Sequence, residues 1–328
     1  MAGEAGRRAT AFGAALPSPP VPLVDDIRRA SAWVAGRARA VRIDEDAIRP
    51  YARSLELPPD GAKLDPELHL LEGPLEARAA FFLTLDAINF GSGWFPTLRK
   101  RPGRSGYGTL AEALRDRFAA DGPWSPRQLA AVEHAEVAAV TGQDPGHELV
   151  RLWTDSLRGL GQRVAAEHGS DWLDVVASAG GSAIGLVEVL ADFSSFAGDV
   201  SEYAGRPVPF YKRAQIAAAD LHLGGVVEFA DLDRLTLFAD NLVPHVLRLD
   251  GVLRFDDALV RRIEAGERLE HGSPEEVEMR ACAVHAVEMI VHERGDTSPQ
   301  AIDHLLWNRG AGERYKAVPR PRARTTAY

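Results

Sequence analysis

Apolar residues recur along most of this chain at steps of three and four, the spacing that lays one buried stripe along an α-helix. The clearest run follows Asp144, where Leu149, Leu152, Trp153, Leu157, Leu160 and Val164 predict a helix that stops at Gly169. A second follows Ser273. There Glu276 completes a Ser-x-x-Glu capping box, and Val277, Ala281, Val284 and Val291 carry the stripe. Helix starts share one grammar, a capping residue followed by proline, because proline has its φ preset and no N–H to lose at the first helical position. Asp65-Pro66-Glu67, Ser125-Pro126, Asp144-Pro145 and Ser273-Pro274 all fit it. Alternating β-branched runs are few, and no Asn-Gly or Asp-Gly hairpin signal separates two of them. Arg206-Pro207-Val208-Pro209 is broken by two prolines and reads as a connector. The pattern predicts a mainly α fold, a single compact helical domain over residues 23–328 with at most a small β element. Residues 1–22 read as a flexible N-terminal tail.

Composition changes this picture mainly by what it excludes. The 328 residues, 45% of them apolar, are ample for a substantial core. The formal net charge of -9 argues against a stable complex with long nucleic acid, which is gripped by neutralising phosphates with a basic stripe. It leaves room for a single nucleotide, which needs only one or two local cations. The lone Cys282 can form neither an internal disulfide nor a thiolate metal site, and its apolar helical setting makes it core filling. That usage points to a reducing, cytoplasmic location. No stretch reaches the roughly 18 uninterrupted apolar residues of a membrane span, so no membrane partner is expected.

Three segments break the helical pattern and hold the candidate chemistry. In the first, Asp86 and Asn89 sit three apart at a helix end, Gly91 and Gly93 allow a sharp turn or close approach to a ligand, and Phe90 and Trp94 offer stacking surfaces. The plainer alternative is a capped helix end with two core aromatics. In the second, Lys212 and Arg213 interrupt an alanine-rich helix and can receive a phosphate, or simply sit solvated on its face. Asp240 follows, set between Leu237, Phe238, Ala239 and Leu242, Val243, Pro244. A carboxylate in apolar surroundings is costly unless used, although an Asp that caps the next turn is common. In the third, Asp303 and Trp307 share a helix face, an acid with a stacking surface or, more plainly, an exposed acid beside a core tryptophan, and the tail beyond is basic, Arg314, Lys316, Arg320, Arg322 and Arg324, which reads plainly as a solvated terminus. Asp231 is a further acid that suits either a helix cap or a ligand contact.

Metal chemistry has one candidate, His285, Glu288 and His292 on one helix face, but the set is incomplete. The chain has no Glu-x-x-His pair and no His-Glu-x-x-His run. Neither a Gly-x-Ser-x-Gly elbow nor a Walker loop is present. No metal or organic cofactor is expected.

At these same segments the chain resembles the queuosine salvage proteins, the queuosine 5'-phosphate N-glycosylase/hydrolase family. The resemblance runs from about Leu64 to Tyr328 and is strongest in the C-terminal half. It is carried by LDAINF with Trp94, FYKRAQI at 210–216, LTLFAD at 235–240 with VPHVL after it, and EEVEMRACAVHAVE at 275–288. The helix of Asp303 with Leu305-Leu306-Trp307 and the ending from Pro319 through Arg322 and Arg324 to Tyr328 complete it. Asn241 departs from the pattern, where many members have an aromatic. The resemblance implies a helical relative of DNA glycosylases, free of metal and cofactor, that releases the 7-deazaguanine base queuine from queuosine 5'-monophosphate. It matches Asp240 to the family's candidate catalytic carboxylate. His69, Phe238, Asp303 and Trp307 match the base-binding neighbourhood, and Lys212 the lysine of the KRAQ motif, here expected to hold the 5'-phosphate. Two other functions stay open on the residues alone: a ribosyl hydrolase for another purine nucleotide, and a non-catalytic helical module that binds a modified nucleotide. Asp240 separates them, because a pure binder has little need of a carboxylate beside C1'.

Overall fold

A computed structural model describes residues 22–328, so all but the last residue of the expected tail lies outside the described residues. Helix α1 (Leu23–Ala35), strand β1 (Val41–Ile43) and helix α2 (Glu45–Ser54) come first. Then follow α3 (Leu75–Ala87), α4 (Gly106–Asp121), α5 (Pro126–Ala130), α6 (His134–Thr141) and α7 (Glu148–Glu167). Helices α8 (Trp172–Ala177) and α9 (Ala183–Ala191) lead to the strands β2 (Val200–Tyr203) and β3 (Arg206–Pro209). The rest of the chain builds α10 (Lys212–Leu223), α11 (Val243–Leu249), β4 (Leu253–Phe255), α12 (Asp257–Glu264), α13 (Pro274–Arg294), α14 (Pro299–Arg309) and α15 (Glu313–Lys316). The predicted mainly α architecture is what forms. The β content among the described residues is two antiparallel pairs, β1 with β4 and β2 with β3. No helix among them is long and apolar enough to cross a membrane.

The periodic runs fold as helices, and several of their starts move. Asp144-Pro145 forms a turn in which the Asp144 carboxylate accepts from Gly146 N, and α7 begins four residues later, capped by His147 Nδ1 on Leu149 N. Asp65-Pro66-Glu67 opens only one turn, closed by Leu68 N and His69 N on the Asp65 carbonyl. Pro74 stands too close for that turn to grow, and a lone turn is below the length at which helices sustain themselves. Ser273 caps α13, but the Glu276 carboxylate accepts from Gly272 N rather than from Ser273 N, so only half of the expected capping box forms. Arg206-Pro207-Val208-Pro209 is a correction: it is strand β3. Its turn is Ala204-Gly205, both at positive φ, which is the backbone of a two-residue hairpin loop without the Asn-Gly signature. In that register Pro207 and Pro209 fall on the alternate pairs that exchange no ladder bonds, so their missing N–H groups cost nothing.

Two apolar cores meet along a seam. One is built by α3, α4 and α7 to α10, around Phe81, Trp153 and Trp172. The other gathers α1, α2, α11, α13 and α14 around Val246, Val284 and Ile302. Cys282 is buried in the second, as core filling. At the seam lies a buried ion pair. Arg280 Nη1 stands 2.8 Å from Asp199 Oδ1, and Nη2 donates to Oδ2 at 2.9 Å. Its Nε donates to the Ala239 carbonyl at 2.9 Å, and the guanidinium lies over the rings of Phe210 and Tyr328. Asp199 Oδ2 also accepts from Lys212 N at 2.9 Å, the first residue of α10. Removing one member of such a pair strands the other charge. Arg280→Met is therefore expected to lower stability by about 3–5 kcal/mol. Urea unfolding at neutral pH measures this, and a cost under about 1 kcal/mol would show that the pair does not anchor the seam.

Candidate active site

Helix α10 supplies one wall of a cavity of about 830 Å³ that opens along the seam. Lys212, Ile216, Ala219, Asp220 and Leu223 face it, following the helical steps of four, three and one. The helix enters through Tyr211, which sits at φ 46°, a strained position for a non-glycine residue. The Asp199 carboxylate on Lys212 N holds that entry in place. The opposite wall is the loop before α11. Gln215 pins it by accepting from Thr236 N at 2.8 Å and donating to Thr236 Oγ1 at 2.9 Å, both buried. Arg280 on the Ala239 carbonyl fixes the next residue, Asp240.

Asp240 combines its two sequence readings. Oδ1 accepts from Leu242 N at 2.7 Å and from Val243 N at 3.1 Å, capping the turn into α11. No donor among the described residues engages Oδ2, on a residue that lines the cavity. Beside it Asp303 is buried, not exposed, and its Oδ1 accepts from Phe238 N at 3.1 Å. Burial and the neighbouring Asp240 charge hold the Asp303 carboxyl well above the usual range, which favours its protonated form. Asp86, behind the cavity, is pushed up in the same way by burial and by Asp220, and its Oδ2 has no partner. Asp220 itself is raised by burial to about 7. Lys212 is lowered by burial while Asp240, Asp86 and Asp303 pull it back up, and its Nζ donates to the Asn89 carbonyl at 3.3 Å.

The expected base-binding side chains converge on the same space. His69, Asn89, Phe90, Phe238 and Trp307 all line the cavity with Lys212, Asp240 and Asp303. His69 Nδ1 lies 2.9 Å from the Asp65 carbonyl, which can only accept, so Nδ1 carries the proton. Nε2 is then the acceptor for the Tyr107 hydroxyl at 2.9 Å, and burial keeps the ring neutral. Trp307 stands edge-on to Tyr107, half-buried. Three expected contacts sit elsewhere. Asp86 is one layer back, accepting from Asn89 Nδ2. Trp94 is packed away from the cavity, its Nε1 donating to Glu148. Asp231 caps α9 through Ser182 Oγ and Ala183 N, its plainer reading. Gly93 is approached closely by the backbone of Ala323 rather than by a ligand. Of the metal candidates, Glu288 is held by Arg28 and His292 is exposed.

The sequence passed over two cavity residues. Asp220 sits in an alanine-rich helix two turns from Lys212, and the argument that singled out Asp240 applies to it equally. Tyr107 carries no local signal, because its partner His69 is 38 residues away.

A family model described as queuosine salvage protein matches residues 68–328. A Sphaerobacter thermophilus protein named queuosine 5'-phosphate N-glycosylase/hydrolase is 35% identical over 90% of this chain and 95% of its own. A Mus musculus protein of the same name is 30% identical over 92% of this chain and 98% of its own.

The electrostatics of the cluster set a pH dependence. A carboxyl that titrates near 7 folded against 3.8 unfolded binds its proton more tightly in the folded state. Its contribution to stability is full at low pH and is lost as pH rises from about 4 to about 7, at up to about 1.4 kcal/mol per pH unit. Asp220→Asn is expected to flatten that decline in urea unfolding between pH 4.5 and 8. An unchanged slope would place the titration on another group.

Proposed function

This chain belongs to the queuosine salvage protein family, and from that premise we propose that it hydrolyses the N-glycosidic bond of queuosine 5'-phosphate and releases queuine. The observation that carries the reading is Asp240, with one carboxylate oxygen locked by two amides and the other unclaimed on the cavity wall. As the C1'–N bond lengthens, positive charge develops on the ribose. A carboxylate already fixed in place stabilises that charge without reorganising at the moment of reaction. Water adds its oxygen to C1' and yields a proton, and the base leaves with the bonding electrons and takes one up. The step as written takes water and no cofactor.

The leaving base poses a particular problem. A 7-deazapurine has carbon where purines have N7, so protonation there is not open to it. A neutral acid must reach another edge of the base, and Asp303 suits that task. Burial raises its carboxyl and so favours the protonated form, Phe238 N occupies one oxygen, and no hydrogen bond among the described residues claims the other. Phe238 and Trp307 supply surfaces for the base, and His69 and Asn89 offer polar edges. Asp86 lies one layer behind and Asp220 faces the cavity two turns along α10, and the Lys212 charge pulls both carboxyls back down against their burial. A non-catalytic binder has no use for Asp240 in this form, which favours hydrolysis over that alternative. The free nucleotide, rather than nucleic acid, is the partner in keeping with the net charge of -9. We read residues 23–328 as the glycosidase domain and the compartment as cytoplasmic, in keeping with the single buried Cys282.

Asp240→Asn is expected to slow queuine release from queuosine 5'-monophosphate at least about 100-fold with binding retained, followed by mass spectrometry of the free base. Full activity in that variant would remove the carboxylate from the chemistry. Parent protein that binds the nucleotide yet releases nothing would make it a binder. Asp231→Ala, by contrast, is expected to keep its turnover and lose about 1 kcal/mol of stability as a missing helix cap; a lost turnover with unchanged melting would reverse that assignment.

A further inference from the structure

The resemblance places His69 among the base-binding residues, yet both of its ring nitrogens are engaged within the protein. Nδ1 carries the proton, facing the Asp65 carbonyl at 2.9 Å, and Nε2 accepts from the Tyr107 hydroxyl at 2.9 Å. Burial lowers the imidazole, which favours the neutral ring that this pattern needs. Burial and the charges of Asp220 and Asp86 raise the Tyr107 phenol further above its ordinary range, so its hydrogen is kept. A phenol has one hydrogen to give. With it spent on Nε2, the Tyr107 oxygen has only lone pairs to offer to the cavity it lines. The polar edge of His69 is thus delivered through Tyr107.

Both ends of this relay are held still. The Asp65 carbonyl also accepts from Leu68 N and His69 N, which closes the lone turn before Pro74. The His69 ring stacks on Phe82 with centroids 6.3 Å apart. Tyr107 is the second residue of α4, whose start is capped by Ser105 Oγ accepting from Gly108 N at 2.9 Å. Gly106 lets that start lie against the Phe95 ring, where any side chain at 106 would collide. Arg104 spans the two pieces, its Nη2 donating to Glu67 at 2.9 Å and its Nε to Glu112 at 3.0 Å. The Tyr107 ring stands edge-on to Trp307 at 5.5 Å, so the hydroxyl is fixed relative to a surface expected to carry the base.

We propose that Tyr107 is a specificity-determining residue whose hydroxyl, held as an acceptor by His69, selects a base with a donor edge over one with an acceptor edge. This rests on the glycosidase reading, with His69 as the positioning residue that acts through Tyr107. A 7-deazaguanine presents its N1–H and 2-amino hydrogens along one edge, and either can meet a lone pair. A 7-deazaadenine turns the N1 lone pair and the C2–H to the same place, which leaves a buried acceptor unsatisfied. A site built to hydrogen-bond one ligand rejects a similar-sized one that lacks the matching group far better than apolar contact does.

Three measurements on the full chain test the relay. Nitrogen-15 spectra of the histidine rings are expected to show His69 as the Nδ1–H tautomer at neutral pH. Calorimetric binding to the parent is expected to favour 7-deazaguanine over 7-deazaadenine. Tyr107→Phe keeps the ring against Trp307 and is expected to lose about 3- to 10-fold of that preference. His69→Phe keeps the stack on Phe82 but frees the hydroxyl to donate, and is expected to lose a similar part. The ratio of kcat/KM for the two corresponding 5'-phosphate nucleotides is expected to fall by the same factor in both variants. The other tautomer, a parent without preference (binding of neither base included), or an unchanged preference in either variant overturns the proposal. So does an equal loss for both bases, which is what a merely structural role would give. Hydrolysis of neither nucleotide by the parent would overturn the glycosidase reading alone, because the spectra and the binding of the bases still decide the relay.

Discussion

The structure turns on one buried ion pair. Arg280 and Asp199 are both shielded from water where two apolar cores meet, and each would be costly alone. Their donors and acceptors are spent on the two walls of the cavity. Asp199 takes the N–H that starts α10 at Lys212, and Arg280 takes the carbonyl that precedes Asp240. Lys212 and Asp240 lie 28 positions apart in the chain, and this pair sets their separation in space. The aromatic faces of Phe210 and Tyr328 close over the guanidinium, which ties the end of the described chain into the same joint.

Around that joint the cavity gathers charges of both signs. Lys212 stands among acids whose carboxyls burial raises, and Arg320 and Arg322 line the same cavity with no carboxylate within ion-pair distance among the described residues. Cations and carboxyls far apart in the chain thus face one space, Lys212, Asp240 and Asp303 among them. The arrangement also explains how a chain of net charge -9 can take an anionic substrate. The relevant field is local, set by a few desolvated side chains rather than by the sum over the surface.

The side chains that hold the site are as specific as those that line it. Gln215 and Thr236 brace α10 against the Asp240 loop, and Gly93 lets the backbone at Ala323 come close enough to seat the Pro319–Arg322 segment. Trp94 and Asp231 belong to this supporting class: one fastens to Glu148, the other caps α9. Motifs such as LDAINF and KRAQ therefore mix residues that line the cavity with residues that brace them.

Local periodicity and capping chemistry determined the helices from sequence, because both depend on residues within about four positions. The stripe after Asp144 and the one after Ser273 were legible for that reason, as were the candidates Asp240, an acid in apolar company, and Asp303, one helical turn from Trp307. Contacts across the chain decided the rest. Whether Asp144 or His147 starts α7 depended on which cap the packing selected, and β3 formed despite two prolines because its partner strand asked for no bond at either. Asp231 and Asp240 looked alike in sequence, two acids each suited to capping a turn. Only the fold left one with both oxygens spent on a helix end and the other with an oxygen facing a cavity. The free charge of Arg320 and Arg322 was likewise invisible, since a basic tail reads as solvated until it is known what it packs against. Sequence carries the cost of a buried charge, and the tertiary structure alone supplies the partner that meets it.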